Sequence, residues 1–264
     1  MNSSAAPAEE VLSVVVPVFN ERKTLGQVVE ALNRVPGLLE IVVVDDCSTD
    51  GTREEAVRLA GVFPRVRVLR HARNQGKTGA LRTGIAATSG DIVLIQDADL
   101  EYDPEEIPAV IQPILDGHAE VVFGSRFSVR KATRVLYFYH FLANKFLTFC
   151  SNLLTNINLT DVESCYKAFR GDILRKMRIQ STGFGFEIEV TAKVSKLGCA
   201  IYEVPISYYG RTYEEGKKIG FRDGVAALWY IAYFNLFCSL KNSFTSMPDV
   251  YPFTVPASEK EPRP

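Results

Sequence analysis

Short apolar runs alternate with helical patterns along the first half of the chain, and this alternation is what most constrains the fold. Runs such as "LSVVVPVF" (12–19), "LEIVVVDD" (39–46) and "DIVLIQDAD" (91–99) are rich in β-branched residues and apolar at successive positions. Strands of that kind are buried on both faces, as in a parallel sheet covered by helices. The pattern therefore predicts an α/β fold with a mostly parallel, twisted central sheet and helices on both faces.

Five strands and four helices are predicted in this half of the chain. The strands cover residues 12–19, 39–46, 66–71, 91–99 and 119–127, and the helices between them cover 23–35, 51–63, 77–89 and 104–115. Residues 1–10 predict a disordered leader. Residues 246–264 hold five prolines among nineteen positions, which predicts an extended or disordered tail.

The overall charge argues against a nucleic-acid partner. With 30 Lys and Arg against 31 Asp and Glu, the formal net charge is −1, so an anionic ligand must be held by local basic clusters. The five cysteines are dispersed without metal-binding spacing, which is typical of reduced thiols in a cytosolic protein. The acidic N-terminus lacks the pattern of a secretory signal peptide.

Two aromatic, apolar segments, 135–149 and 225–240, are shorter than the roughly 20 residues of a membrane-spanning helix. They have two interpretations: buried core helices, or helices that lie at a membrane surface. A basic cluster comes just before the first segment and favours the membrane surface, since basic residues beside an apolar helix are typical of interfacial segments. The cluster consists of Arg126, Arg130, Lys131 and Arg134.

Polar segments follow each of the five predicted strands. In open α/β sheets, ligands bind beyond the carboxyl ends of the strands. We therefore expect these segments to meet on one face and form a single ligand site. They are "PVFNE" (17–21), "DDCSTDGT" (45–52), "RNQGKTGAL" (73–81), "QDADLE" (96–101) and "GSR" (124–126).

The carboxylates of "QDADLE" are candidates for a metal site. Asp97 and Asp99 point the same way in an extended segment, and Glu101 joins them if the extension continues. Such carboxylates repel one another unless a cation lies between them, and Mg²⁺ or Mn²⁺ would also bridge to phosphate oxygens. The alternative is a solvated acidic turn that caps the next helix.

The other strand ends also have two interpretations each. Asp45 or Asp46 could accept hydrogen bonds from a nucleobase or ribose, or the segment could simply begin a helix. Lys77 and its neighbouring glycines could hold an anion at a helix N-terminus, or form a tight turn. The basic stretch 208–224 could close over phosphates or be a surface loop. Dinucleotide and P-loop fingerprints are missing from the sequence, which argues against those enzymes.

Together, "SVVVPVFNE", "IVVVDDCSTDGT", "RNQGKTGALRTGI", "GDIVLIQDADLEYDPEEI" and "VVFGSR" resemble the family 2 glycosyltransferases of GT-A fold. "TDVESCYKAFR" (160–170), "GFGFEIEV" (183–190) and "VPISYYGR" (204–211) are similar to the polyprenyl- and dolichyl-phosphate sugar transferase branch, of the dolichyl-phosphate mannose synthase type. The resemblance implies a GT-A catalytic domain over 11–224 and an apolar, interfacial helix over 225–245.

The resemblance also implies roles for individual residues. It assigns a metal, Mg²⁺ or Mn²⁺, to Asp97, Asp99 and Glu101, and the acceptor phosphate to Arg126 and Arg134. It makes Asp97, Asp99, Arg126 and Arg211 the catalytic residues. The residues that it places against the nucleotide-sugar are Pro17, Asn20, Glu21, Asp46, Lys77, Asp97, Ala98, Asp99, Arg211 and Lys217.

The activity that follows from the resemblance is inverting transfer of a hexose from a nucleotide-sugar, of the GDP-mannose or UDP-glucose type, to polyprenyl or dolichyl phosphate. A phosphate monoester is already anionic near pH 7, so this acceptor needs no protein base. The protein would be cytoplasmic and bound peripherally to a membrane, either alone or with a separate membrane subunit. Two alternatives stay open: a hydroxyl acceptor, with Asp161 or Glu187 as the base, or a non-catalytic nucleotide-sugar-binding partner of a membrane complex.

Overall fold

The computed structural model describes residues 10–128, 137–211 and 221–250, without the side chains of Phe221 and Arg222. Several residues of the sequence-based predictions lie outside the described residues. They are the leader up to residue 9, the tail from residue 251, and the basic side chains Arg130, Lys131, Arg134, Lys217 and Lys218.

A seven-stranded sheet forms the centre of the molecule, in the order β3-β2-β1-β4-β6-β5-β7. Among the strands of the described residues, β6 alone runs against its two neighbours, β4 and β5, and the other paired strands are parallel. The mostly parallel α/β sheet predicted from the sequence is therefore confirmed. The strands are β1 (Leu12–Val18), β2 (Leu38–Asp45), β3 (Val66–Arg70), β4 (Ile92–Ile95), β5 (Val121–Ser125), β6 (Lys167–Arg170) and β7 (Ile201–Pro205).

Helices cover both faces of this sheet. Within β1, Val14 and Val16 pack into one apolar cluster with α1, α2 and α4, while Val15 packs into another with α3, α6 and α7. This division follows from the alternation of side chains along a strand. The helices are α1 (Leu25–Leu32), α2 (Thr52–Val62), α3 (Gly76–Ala86), α4 (Ile107–Leu115, preceded by a 3₁₀ turn, Pro104–Glu106), α5 (Phe138–Thr155), α6 (Gly171–Lys176), α7 (Phe186–Leu197), α8 (Phe221–Ala232, continued by a π-helical turn, Tyr233–Phe237) and α9 (Leu240–Ser243).

The reversed strand β6 brings a second stretch of chain to the carboxyl edge of the parallel strands. Lys167, at its start, pairs in register with Phe123 of β5, so the residues just before β6 reach that edge. The fully buried ammonium of Lys167 donates to the backbone carbonyls of Val162 and Ser164. These bonds hold "DVESC" (161–165) against the sheet, beside the strand ends that the sequence singled out.

Helices α5 and α8 pack on each other and on α7 through an apolar cluster that includes Leu147, Ile188 and Ile231. Each helix also has an exposed apolar side, which carries Phe146 on α5 and Trp229 on α8. In the described part of the chain, no helix is both long and apolar enough to cross a membrane. The two segments are thus buried on one side only, and α8 begins before the expected domain boundary at residue 224.

Candidate active site

The strand ends that were predicted to converge line one cavity of about 320 Å³ at the carboxyl edge of the sheet. Within the described residues, every predicted metal, donor and acceptor residue except Asn20 lies in its wall. The predicted residues that line the cavity are Pro17, Glu21, Asp46, Lys77, Asp97, Ala98, Asp99, Glu101, Arg126 and Arg211.

Asn20 connects two loops beside this cavity. Its backbone is in the left-handed region, with φ at 57°, a conformation that asparagine tolerates better than most residues. Its side-chain oxygen accepts a hydrogen bond from the backbone N–H of Thr49 at 2.8 Å, and its own N–H donates to the hydroxyl of Ser48 at 3.0 Å. Asn20 therefore fixes the β1–α1 loop against the β2–α2 loop, and its predicted contact with the nucleotide stays a prediction.

The buried carboxylate of Asp46 organises the turn before α3. It accepts hydrogen bonds from the backbone N–H groups of Gln75 at 2.9 Å and Gly76 at 2.8 Å. His71 Nδ1 lies 2.6 Å from the Oδ1 atom of Asp46. Gly76 has a positive φ of 77°, which favours glycine there. Both oxygens of Asp46 thus have partners within the protein, and the turn they hold places Lys77 at the cavity.

The Lys77 ammonium is shared by two carboxylates and a thiol. It lies 2.9 Å from Asp97, 3.3 Å from Glu187 and 2.8 Å from the sulfur of Cys165. Burial disfavours the charge on Lys77, but the charges of Asp97 and Glu187 outweigh burial, so its pKa lies well above the usual value. Lys77 is therefore a fixed positive charge beside Asp97.

Arg211 joins three carboxylates in the wall of the same cavity. Its guanidinium is 2.7 Å from Asp99, 3.3 Å from Glu101 and 3.4 Å from Glu21. Burial, with the negative charges of Asp97 and Glu101, raises the pKa of Asp99 to about 7 despite Arg211. The carboxylates thus lie close enough to repel one another, and Arg211 relieves only part of that repulsion.

These carboxylates suit a hard divalent cation by donor type, since Mg²⁺ and Mn²⁺ prefer oxygen ligands. A cation among them would also relieve the repulsion felt by Asp99. In the described ranges, however, no group of three or more His, Cys, Asp or Glu side chains is arranged as a metal site. Asp97 pairs with Lys77, whereas Asp99 and Glu101 pair with Arg211. By donor type the residues fit such an ion, and the ligand set Asp97, Asp99 and Glu101 stays a prediction.

Arg126, which follows β5, is held in the cavity wall by Asp161. Its guanidinium makes two parallel bonds to Asp161, at 2.6 and 2.7 Å, and its backbone N–H donates to the same carboxylate at 3.1 Å. The guanidinium also lies 5.1 Å from the ring centroid of Tyr208. Although burial opposes ionisation, Arg126 keeps the pKa of Asp161 below its usual value. Asp161 is a fully buried anchor for Arg126 and does not line the cavity.

Sequence reasoning did not assign several other residues of the cavity wall. Glu163 is the most unusual of them, because its Oε1 atom is buried with no hydrogen-bond partner in the described part of the chain. Burial and the charge of Glu187 raise its pKa to about 7. Six of these residues stand in the quoted segments at 90–107, 160–170, 183–190 and 204–211, which was the available signal. The unassigned wall residues include Tyr102, Glu163, Cys165, Gly183, Phe184 and Tyr208.

The reversed strand in an otherwise parallel sheet and the charged cavity at its carboxyl edge agree with the GT-A fold expected from the sequence motifs. Residues 13–178 match the family described as "Glycosyl transferase family 2". The chain belongs to this family, as the sequence motifs predicted, and it is a glycosyltransferase.

The relatives that the chain resembles include three polyprenol-dependent enzymes. The undecaprenyl-phosphate mannosyltransferase of Micrococcus luteus is 30% identical over 235 residues, which cover 81% of this chain and 94% of that protein. The dolichol-phosphate mannosyltransferase of Pyrococcus furiosus is 33% identical over 79% of this chain and 59% of its own length. The polyprenol monophosphomannose synthase of Mycolicibacterium smegmatis is 29% identical over 83% of this chain and 84% of its own length.

Solved structures support the fold independently. Glucosyl-3-phosphoglycerate synthase of Mycobacterium tuberculosis, in complex with Mn²⁺ and UDP-glucose, superposes with a TM-score of 0.66 at 23% identity, covering 86% of this chain and 79% of that one. The same enzyme with Mn²⁺, UDP and its glucosylated product gives a TM-score of 0.64 at 22% identity, covering 86% of this chain and 80% of that one. At this identity the similarity shows the fold alone, which confirms the GT-A expectation.

Proposed function

We propose that the protein transfers a sugar from a nucleotide-sugar to a polyprenyl phosphate with the help of a divalent cation. The observation that carries this proposal is the charge distribution in the cavity. The cavity wall holds carboxylates suited to a cation, with Asp97 and Asp99 at their centre, together with the guanidinium of Arg126. The three polyprenol-dependent relatives, which resemble about four-fifths of this chain, support the same acceptor.

The donor diphosphate would bind at the carboxylates of the cavity. A bound Mg²⁺ or Mn²⁺ would neutralise charge on the diphosphate and make it a better leaving group. Lys77 and Arg211 are the positive side chains of this chain at the same place, and both line the cavity. Their charges would stabilise the nucleoside diphosphate as it departs. Complexes of a structural neighbour with Mn²⁺ and UDP support the use of such an ion.

The acceptor phosphate would bind at Arg126. One phosphate oxygen forms the new bond to the anomeric carbon while the bond from that carbon to the donor diphosphate breaks, which inverts the anomeric centre. The second pKa of a phosphate monoester is about 6, so its oxygen is already ionised near neutral pH and attacks without losing a proton to the protein. Asp161 holds the Arg126 guanidinium in place for this step through two parallel bonds.

The exposed aromatic side of α5 and α8 would rest on the membrane that contains the lipid acceptor. It presents large apolar side chains to solvent, among them Phe138, Phe149 and Trp229. Aromatic and aliphatic side chains on one side of a helix are typical of segments that lie in a membrane interface. The cytoplasmic surface of a membrane is our proposed location, and an integral membrane protein that covers the same side is the alternative occupant.

The hydroxyl acceptor is the rival activity, because Glu163 lies in the cavity wall and has a pKa of about 7. A carboxylate with such a pKa can serve as a general base near neutral pH. The bases proposed from sequence are less suitable. Asp161 is engaged with Arg126, Glu187 is ion-paired with Lys77, and neither lines the cavity.

The experiment is a transfer assay with labelled GDP-mannose or UDP-glucose and Mn²⁺, run in parallel with undecaprenyl phosphate and with oligosaccharide acceptors. We expect labelled lipid as the product, and we expect Asp99→Ala to abolish its formation while circular dichroism shows an intact fold. Asp116→Asn, which removes an exposed carboxylate after α4, should transfer sugar like the wild type. Label in oligosaccharide but not in lipid would replace the proposal with the hydroxyl-acceptor activity.

A further inference from the structure

Among the residues that the structure describes, Glu163 differs from the other carboxylates around the cavity in having no basic partner. Asp97 is paired with Lys77, Asp99 with Arg211, and Asp161 with Arg126. Glu163 forms no such ion pair in the described part of the chain, and its Oε1 atom is buried with no hydrogen bond. A carboxylate with a buried, unpartnered oxygen is short of hydrogen-bond donors, so a ligand that donates to its other oxygen stabilises the charged form.

Two contacts place Glu163 between Lys77 and Arg126. Along the chain it follows Asp161, whose carboxylate is bonded to Arg126 at 2.6 and 2.7 Å. It precedes Cys165, whose sulfur lies 2.8 Å from the Lys77 ammonium. Glu163 therefore lies in the cavity wall between the groups proposed to hold the two phosphates.

The chemistry of a carboxylate restricts what can bind at this position. A phosphate group would be repelled by Glu163, whereas a hydroxyl group can donate a hydrogen bond to it. Of the substrates in the proposed reaction, the transferred sugar is the part that lies between two phosphates, since its anomeric carbon leaves one and joins the other. The ligand that fits this position is thus a sugar hydroxyl.

Glu163 is also accessible enough for such a contact. The side chain is only partly buried and lines the cavity, although its Oε1 atom is covered. Its negative charge is shared by both oxygens, so a hydroxyl that donates to the accessible edge stabilises the whole carboxylate. Burial and the nearby Glu187 raise the pKa of Glu163 to about 7, as expected for a carboxylate that lacks such a donor.

We propose that Glu163 is a specificity-determining residue that binds a hydroxyl group of the donor sugar. This inference rests on the proposed nucleotide-sugar donor. It assigns the recognition of the sugar to the segment before the reversed strand β6, while the diphosphate is held by groups at the ends of the parallel strands and by Arg211.

The test compares two ligands that differ only in the sugar. Calorimetry with Mn²⁺ would measure the affinity of the wild type, Glu163→Ala and Glu163→Gln for GDP-mannose against GDP, and for UDP-glucose against UDP. We expect Glu163→Ala to weaken binding of the sugar nucleotide about tenfold, since a hydrogen bond to a charged group is lost. Its affinity for the bare nucleoside diphosphate should be unchanged. Glu163→Gln keeps the volume of the side chain and should lose less affinity for the sugar nucleotide than Glu163→Ala.

A matched control is Glu54→Gln, which removes an exposed carboxylate on α2 and should alter neither affinity. Equal weakening of both ligands by the Glu163 variants would overturn the inference and indicate a general role in cavity structure. Unchanged affinity for the sugar nucleotide with lost turnover would also overturn it and make Glu163 a proton acceptor. If the wild type binds none of the four nucleotides, the proposed function fails as well, so the two failures are distinguishable.

Discussion

At the scale of single residues, Arg211 determines how the cavity tolerates its own negative charge. It contacts Glu21, Asp99 and Glu101 within 3.4 Å, although these residues come from two distant parts of the chain. Carboxylates this close are stabilised either by a basic side chain or by a metal ion. Arg211 and a divalent cation are therefore alternative sources of positive charge for these carboxylates. Each should stabilise the folded protein most when the other is missing.

This relation predicts that a cation compensates for the loss of Arg211. In the presence of a chelator, Arg211→Ala should lower Tm by at least roughly 2–4 °C, the shift that about 1 kcal/mol gives in a protein of this size. Mn²⁺ should raise the Tm of the variant more than that of the wild type, as measured by thermal unfolding. The control is Arg58→Ala, which breaks an exposed pair with Glu55 and should change Tm little. Equal effects of Mn²⁺ on both proteins would contradict the prediction.

At the scale of elements, α5 presents one apolar stripe away from the protein. Phe138, Leu142, Phe146, Phe149 and Leu153 are three or four positions apart and exposed, with Leu153 at 70% of its full surface. The opposite side of the helix, which includes Leu147, is buried against α7 and α8. The side chains of this stripe therefore contribute little to the stability of the fold and are exposed for contact with a membrane.

We predict that polar substitution of this stripe weakens membrane binding without affecting the fold. Phe146→Ser combined with Phe149→Ser should shift the protein from the vesicle fraction to the soluble fraction in a flotation assay with anionic lipid vesicles. Val57→Ser with Val62→Ser, on the exposed side of α2, is the matched control and should float like the wild type. Wild-type protein that stays soluble even with polyprenyl phosphate in the vesicles would argue against the membrane surface.

The contact between α3 and β1 yields a prediction about stability. Alanine usually stabilises a helix relative to glycine, but a Cβ atom at Gly84 would lie 2.4 Å from Val15 and 3.1 Å from Val44. Gly84→Ala should therefore destabilise the protein by about 1–3 kcal/mol, measured by urea unfolding. Gly61→Ala, where a Cβ meets nothing within 4 Å, is the control within α2. Equal stability of the two variants would contradict the prediction, because it would mean that α3 can move away from Val15 and Val44 at little cost.

The first four β–α units could be predicted because their strands are rich in β-branched apolar residues and separated by regular helices. Strand β6 could not, since it is short and has a lysine, Lys167, at a fully buried position. The site residues that follow parallel strands were predictable, because those strands end at one edge of the sheet. Glu163 reaches the cavity only through the reversal at β6, and the hydrogen bonds of Asp46 within the protein depend on tertiary contacts that no motif reveals.

At the scale of the whole molecule, ligand binding should be visible as a gain in stability. Nucleotide binding to the folded state alone stabilises it by mass action, by about 2.7 kcal/mol at a hundredfold excess over Kd. We expect Mn²⁺ with either the guanosine or the uridine nucleotides to raise Tm, and the preferred base to be identified by the larger shift. The Asp99→Ala variant should lose the part of the Tm increase that depends on Mn²⁺. No shift with any nucleotide would contradict a nucleotide-sugar donor.

The ion pair between Glu21 and Arg211 joins residues that are 190 positions apart. At a synthesis rate of about 5–20 residues per second, the arginine leaves the ribosome roughly 10–40 s after the glutamate. The parallel strands β1 to β4 have by then all been made, so the sheet can form while its carboxylates still lack their arginine. The order of translation thus separates formation of the scaffold from completion of the charged cavity, and the cavity is among the last parts of the nascent chain to acquire its final charge.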